Sequence, residues 1–190
     1  MGRPSKKEVW QQLAKEIKAE YIEGKGFKGA KVAYHHKSWT VYLDTYTVSD
    51  GQNSTIYTRM TAPFINLKGY HFKVYKEGLF SRIRKAFGMQ DIEIGYESFD
   101  DKFIVKGNNE AFLKRLLHNS DIRRLIAGQK RIKLEIKNAK NSSGSKDDAN
   151  KDILSFAAAG VIKDKDRLKG LFQLFTKVLD ELVDLGVTVT

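Results

Sequence analysis

Two stretches of alternating apolar and polar residues, joined by a short polar turn, constrain the fold of this chain most. They are KSWTVYLDTYTV (37–48) and STIYTRMTAPF (54–64), with SDGQN between them. A period of two is typical of strands that bury one face, so the pattern predicts a β-hairpin. The apolar sets fix the parity of pairing, because a slip of one residue would turn every side chain over. Asp44 and Arg59 then share the polar face, and we expect a cross-strand ion pair between them.

Further strand and helix patterns follow along the chain. GYHFKVY, KFIVKG, KRIKLEIK and DILSFAAAGVI resemble strands, and helical spacing occurs between them and at both ends. We therefore predict an α+β fold: a mostly antiparallel sheet, packed helices and a long C-terminal helix. Residues 1–190 are expected to form a single domain. Its parts are an N-terminal helix (5–23), a sheet-and-helix core (30–137), a flexible loop (138–150) and a C-terminal strand and long helix (151–190).

Capping residues predict where the helices begin and end. Ser5 and Glu8 have the spacing of a capping box, and Ser120 is expected to cap a short helix that ends at Gly128. Asn108 or Asn109 is expected to cap the helix before it, and Gly186 to stop the last one.

The C-terminal helix, predicted from about 164 to 185, has an unusually wide apolar stripe. A stripe of that width indicates burial on more than one side. The helix is therefore expected either to cross the sheet or to pair with a second copy of the chain in a homo-oligomer. The stripe comprises Leu168, Leu171, Phe172, Leu174, Phe175, Val178, Leu179, Leu182 and Val183.

Charge and composition narrow the class of partner. The formal net charge is +11, and there is no cysteine, so disulfides and cysteine zinc sites are excluded. No apolar run approaches the roughly 18 residues of a membrane span, and we expect a cytoplasmic protein. A basic chain favours an anionic partner, either a nucleic acid or an acidic protein, although a solvated lysine-rich surface explains the charge equally well.

The strongest concentration of basic residues runs from Arg59 to Lys85, with one acid, Glu77. Its second half, LFSRIRKAF (79–87), has the pattern of a short basic helix. We predict an anion-binding surface here, extended by two arginines further along the chain. The predicted surface comprises Lys73, Lys76, Arg82, Arg84, Lys85, Arg123 and Arg124.

An acidic stretch, QDIEIGYESFDD (90–101), follows directly and supports an alternative hypothesis. Asp91, Asp100 and Lys102 superficially match the acid and acid-x-lysine pattern of metal-dependent nucleases, in which acids hold Mg²⁺ or Mn²⁺ and a lysine positions the scissile phosphate. The simpler interpretation is that Asp91 and Glu93 are the solvated face of a strand and that Asp100 begins the next strand.

Other motifs fit less well. GKGFKG (24–29) matches a phosphate-binding glycine pattern, but it follows a predicted helix instead of preceding one. KGYHFKVY (68–75) resembles the RNA-recognition-motif signature, although Tyr70 and Phe72 are equally expected as a core face. The four histidines do not have the spacing of a zinc site.

Several segments together resemble a family of bacterial proteins of unknown function. They are SWTVYLDTYT, YTRMTAPF, GMQDIEIGYESFDDKFIVKGNNEAFLKRLL, IRRLIAGQ and GVIKD…LKGLFQLF. The resemblance implies a bacterial α+β protein and supplies no activity, so no residue inherits a role from it.

The leading hypothesis is therefore a non-catalytic binding module that engages an anionic partner through a basic face and needs no cofactor. The alternatives are a metal-dependent phosphodiesterase and an assembly protein that pairs through its C-terminal helix.

Overall fold

The structure of the chain, a computed structural model, describes residues 4–26, 29–76, 89–139 and 151–190. Within these ranges the chain forms nine strands and five helices. The strands are β1 (Glu20–Ile22), β2 (Lys31–His36), β3 (Trp39–Ser49), β4 (Ser54–Ile65), β5 (Phe72–Lys76), β6 (Gln90–Asp91), β7 (Phe103–Gly107), β8 (Lys133–Asn138) and β9 (Lys151–Ala159). The helices are α1 (Lys6–Ile17), α2 (Glu97–Asp100), α3 (Glu110–Leu116), α4 (Ser120–Ala127) and α5 (Lys165–Asp184).

All nine strands belong to one sheet in the order β1-β2-β3-β4-β9-β8-β5-β7-β6, and every neighbouring pair is antiparallel. The predicted α+β class is confirmed. β9 lies between β4 and β8, so the penultimate element of the chain joins the N-terminal hairpins to the strands that follow them.

The described helices cover one face of the sheet. Their apolar side chains form a single core with alternate residues of the strands, such as Leu43, Met60 and Phe156. Trp10 anchors α1 in this core by donating a hydrogen bond from Nε1 to the carbonyl oxygen of Ile162, at 3.1 Å. The other face of the sheet carries no described helix, and we refer to it as the outer face.

α5 crosses the covered face, and the chain's own core accounts for its wide apolar stripe. Its buried residues contact the sheet side together with α1, α3 and α4. The stripe is therefore filled within one chain. None of the described helices is long and apolar enough to cross a membrane.

The helix ends agree with most of the capping predictions. Ser5 and Glu8 form the capping box, Asn109 caps α3, and Gly186 follows α5 with φ of 66°. The predicted cap at Ser120 is wrong: the Asn119 side chain accepts hydrogen bonds from the backbone N–H groups of the next two residues after Ser120. Asn is as good a cap as Ser, and the geometry places it one position earlier.

Three predicted boundaries differ from the structure. The N-terminal helix ends at Ile17, where Lys18 adopts a left-handed conformation, and β1 replaces its predicted last turn. The predicted strand after Gln90 is only two residues long, and Asp100 ends α2 instead of beginning a strand. The predicted basic helix (79–87) and residues 140–150 of the predicted loop lie outside the described residues.

Candidate anion-binding face

The outer face carries a continuous row of polar residues across seven strands. The row follows directly from the register, because each residue pairs with the next one across the sheet. In strand order it reads Tyr42, Thr61, Ser155, Glu135, Lys73, Lys106 and Asp91. The period of two places the alternate residues of these strands in the core, so the polar row and the core are two faces of the same pattern.

Asp44 and Arg59 form the first ion pair of the outer face. They are direct partners in the β3–β4 register, and Arg59 donates from Nε to Oδ1 at 2.8 Å and from Nη2 to Oδ2 at 2.6 Å. This bidentate hydrogen bonding raises the pKa of Arg59. The cross-strand ion pair predicted from the alternation is therefore present.

Glu135 occupies the centre of the outer face, between two lysines. Lys133 approaches its Oε1 at 2.8 Å and Lys73 its Oε2 at 3.8 Å. Glu135 itself is only 7% exposed, although it lies on the outer face. The neighbouring strands and long lysine side chains shelter it, and a carboxylate in such a place needs cations beside it.

Lys137 lies on the same face of β8, two residues beyond Glu135. Burial lowers the pKa of Lys137, and the nearby Lys133, Arg59 and Lys73 lower it further against the opposing effect of Glu135. Among the described residues, no carboxylate lies within ion-pair distance of its ammonium group. Lys137 is thus a cation crowded by other cations.

On the outer face, strands β3 to β8 and the residues directly before β8 carry six cations and three acids in the described chain. The cations are Arg59, Lys73, Lys106, Arg131, Lys133 and Lys137, and the acids are Asp44, Asp91 and Glu135. The paired cations remain accessible, since the side-chain exposure of Arg59, Lys73, Lys106 and Lys133 ranges from 23% to 37%. The arrangement is suited to attract an anion over a broad surface.

The structure separates the basic residues that the sequence grouped together. Lys73 lies on the outer face, whereas Lys76, three residues further, ends β5 on the opposite side of the sheet. Arg123 and Arg124 belong to α4, which packs against α5 in the helical layer. Arg82, Arg84 and Lys85 lie outside the described residues.

The two α4 arginines have structural partners. Arg123 donates from Nη1 to the carbonyl oxygens of Leu117 and His118, and its Cζ lies 3.4 Å from the centroid of the Tyr96 ring. Arg124 bonds to Asp121 at 3.0 Å. Arg123 thereby closes the turn between α3 and α4.

The two acids of the metal-dependent alternative, Asp91 and Asp100, line one groove of about 520 Å³. Glu93, Glu110 and Lys114 also line this groove. Asp91 pairs with Lys106 at 2.8 Å. Lys102 lines a different groove, beside Arg123 and Arg124.

Asp100 has a structural role in this region. Its Oδ1 accepts the backbone N–H of Ile94 at 3.0 Å, and its Oδ2 accepts those of Gly95 and Tyr96 at 2.8 and 3.0 Å. The carboxylate thus organises the loop before α2. Within the described ranges there is no group of three or more His, Cys, Asp or Glu residues placed to hold a metal ion.

The remaining motifs are accounted for by the fold. Phe72 and Val74 are core residues, and Tyr70 packs on Phe112 with ring centroids 4.9 Å apart. The glycine pattern lies between β1 and β2, and Gly26 adopts φ of 57° in that turn. Each histidine has a protein partner: His35 with Thr40, His36 with Asp180, His71 with Asp152 and His118 with Tyr96.

Comparison with known proteins bears on the fold. No protein-family model matches the chain, and no curated protein matches it. The fold is similar to the crystal structure of the mycobacterial trehalose monomycolate transport factor A, TtfA. The TM-score is 0.59 at 9% sequence identity, over 95% of this chain and 96% of that chain. At this identity the likeness shows the fold alone.

Sequence reasoning missed four cations of the outer face: Lys106, Arg131, Lys133 and Lys137. The alternation in KRIKLEIK did place Lys133 and Lys137 opposite the core. It carried no signal that β8 would lie beside β5 and β9, because strand order depends on contacts between distant segments.

Proposed function

We propose that this protein is a non-catalytic binding module that engages an anionic partner, a nucleic acid or an acidic protein, through the outer face of its sheet. The observation that carries the proposal is the surplus of cations around Glu135, above all Lys137, which lacks a carboxylate partner within the described residues. An anion bound there relieves the repulsion among these cations and needs no rearrangement of the sheet.

A phosphate backbone or a run of acidic side chains fits this surface better than a small ligand does. The row from Glu135 through Lys73 to Lys106 spans β8, β5 and β7, which is about 10 Å at the usual spacing between strands. A partner with several evenly spaced negative charges contacts such a row at more than one point. Binding of this kind weakens steeply with added salt.

The test is binding of the full chain to labelled single-stranded DNA, duplex DNA and polyglutamate at two salt concentrations, followed by fluorescence anisotropy. The double variant Lys73→Gln with Lys137→Gln is expected to weaken binding and to reduce the salt slope by about 2, one for each cation removed. Glutamine is chosen because a new carboxylate beside Glu135 would destabilise the fold.

The matched control is Lys15→Gln with Arg115→Gln, which removes the same charge from exposed positions on the helices. Equal effects of the two double variants would show that only net charge matters, which contradicts a specific outer-face site. Arg82→Glu with Arg84→Glu, measured in the same binding assay, tests the part of the predicted anion-binding surface that lies outside the described ranges.

A further inference from the structure

The outer face contains a cleft of about 320 Å³ where β9 has only alanines. Ala157 pairs with Arg59, and Ala159 lies two residues further on the same face. Larger side chains stand on both sides: Tyr57 on β4, and Lys133 at the start of β8 with Arg131 two residues before it. The small residues of FAAAG therefore leave a gap between these larger side chains.

One wall of the cleft is aromatic. Tyr46 and Tyr57 are cross-strand partners, and their rings stack with centroids 5.3 Å apart at an interplanar angle of 19°. Because β4 lies between β3 and β9, Tyr57 stands between Tyr46 and the alanines. Tyr57 is thus the ring of the stacked pair that borders the alanines of the cleft.

The opposite wall is cationic. Lys133 is held by Glu135 at 2.8 Å, but the exposed Arg131 guanidinium has no carboxylate partner among the described residues. Arg131 is therefore the cation of this cleft that is available for an external anion.

The width of the cleft suits one planar ring. β4 and β8 are separated by β9, so they lie two strand spacings, or about 10 Å, apart. Aromatic rings stack with centroids about 4.5–7 Å apart. One ring above the alanines therefore contacts Tyr57 on one side and the cationic side chains on the other.

We propose that this cleft takes an unpaired base of a single-stranded nucleic acid, stacked on Tyr57, with a neighbouring phosphate on Arg131. The inference rests on the proposed function and names its partner. An aromatic platform beside phosphate-binding cations on a sheet face is the chemistry by which proteins hold single strands. Duplex DNA buries its bases and does not offer this ring.

The test is fluorescence anisotropy with a labelled single-stranded oligonucleotide of about 12 nucleotides, a length that covers such a site. Tyr57→Leu is expected to weaken binding by about tenfold or more, because one stacked base is lost. Tyr57→Phe keeps the ring and is expected to bind as the wild type does. Arg131→Gln is expected to reduce the salt slope by about 1. Thermal melting of each variant verifies that it folds.

Two matched controls accompany these variants. Tyr21→Leu removes a half-buried tyrosine of β1 that packs against the core on the covered face of the sheet. Lys130→Gln removes the charge next to Arg131 in the sequence. Equal weakening by Tyr57→Leu and Tyr21→Leu would overturn the proposal, as would tighter binding of the duplex or equally tight binding of AMP.

The outcomes separate this inference from the broader function. If Lys73→Gln with Lys137→Gln weakens binding while Tyr57→Leu does not, the cleft is refuted and the anion-binding face stands. If no anionic probe shows salt-sensitive binding, both are refuted.

Discussion

Arg59 donates two parallel hydrogen bonds to the Asp44 carboxylate, of 2.8 and 2.6 Å, at the border of the cationic part of the outer face. The pair does two things at once: it ties β3 to β4, and the Asp44 carboxylate offsets part of the Arg59 charge, which helps to lower the pKa of Lys137.

Asp44→Ala is therefore expected to destabilise the protein while strengthening its affinity for anions. The loss of a charged, partly exposed pair should reduce the free energy of unfolding by about 1–2 kcal/mol. Chemical denaturation measures the first effect and anisotropy with a single-stranded oligonucleotide the second. Glu110→Ala, which breaks an exposed pair with Lys114 in α3, serves as the control and should change neither quantity appreciably. Weaker anion binding by Asp44→Ala would contradict the role given to Arg59.

Asp100→Ala is expected to lower the free energy of unfolding by about 2 kcal/mol, because three backbone N–H groups lose their acceptor. For a chain of this size the melting temperature should fall by about 4–8 °C without any metal present. Asp101→Ala, at the exposed neighbouring position, should have little effect. A thermal shift induced by Mg²⁺ or Mn²⁺ in the wild type and abolished in Asp100→Ala would instead support the metal-dependent alternative.

Protonation of the Glu16 carboxylate is expected to contribute to the loss of stability at acidic pH. Hydrogen bonds from Lys165 and Lys169 of α5 lower the pKa of Glu16 from its ordinary 4.5 to about 2. A depressed carboxyl pKa stabilises the folded state above the unfolded pKa, and the stabilisation is lost as the pH falls through the folded pKa. The stability difference between the wild type and Glu16→Gln should thus be constant above about pH 5 and disappear progressively toward pH 2. A difference that is the same at pH 6 and pH 2 would contradict this linkage.

Phe175→Ala is expected to cost about 3–5 kcal/mol, since this α5 side chain is completely buried in the chain's own core. Gln173→Ala, on the exposed side of the same helix, is the control.

The melting temperature of the wild type should not change on dilution. A melting temperature that falls on dilution would favour pairing of α5 with a second copy, and light scattering would then give the number of chains.

The local patterns of the sequence determined the faces of the strands and most of the helix ends. The alternation around Asp44 and Arg59 placed them together, and Ser5, Asn109 and Gly186 marked helix boundaries, because capping and side-chain alternation depend only on neighbouring residues. Asn119 in place of Ser120 is a shift of one position between residues of similar capping strength. The larger exception is α1, which ends at Ile17 instead of the predicted 23 because β1 follows it.

The tertiary structure alone decided which strands are neighbours. A period of two fixes the face on which Ala157, Arg59 and Lys133 lie, but it carries no information about strand order, which is chosen by packing between segments far apart in the chain. The insertion of β9 between β4 and β8 brings these three residues together and creates the cleft. The same packing placed α4 on the opposite side of the sheet from Lys73, so the basic residues grouped by the sequence became separate surfaces.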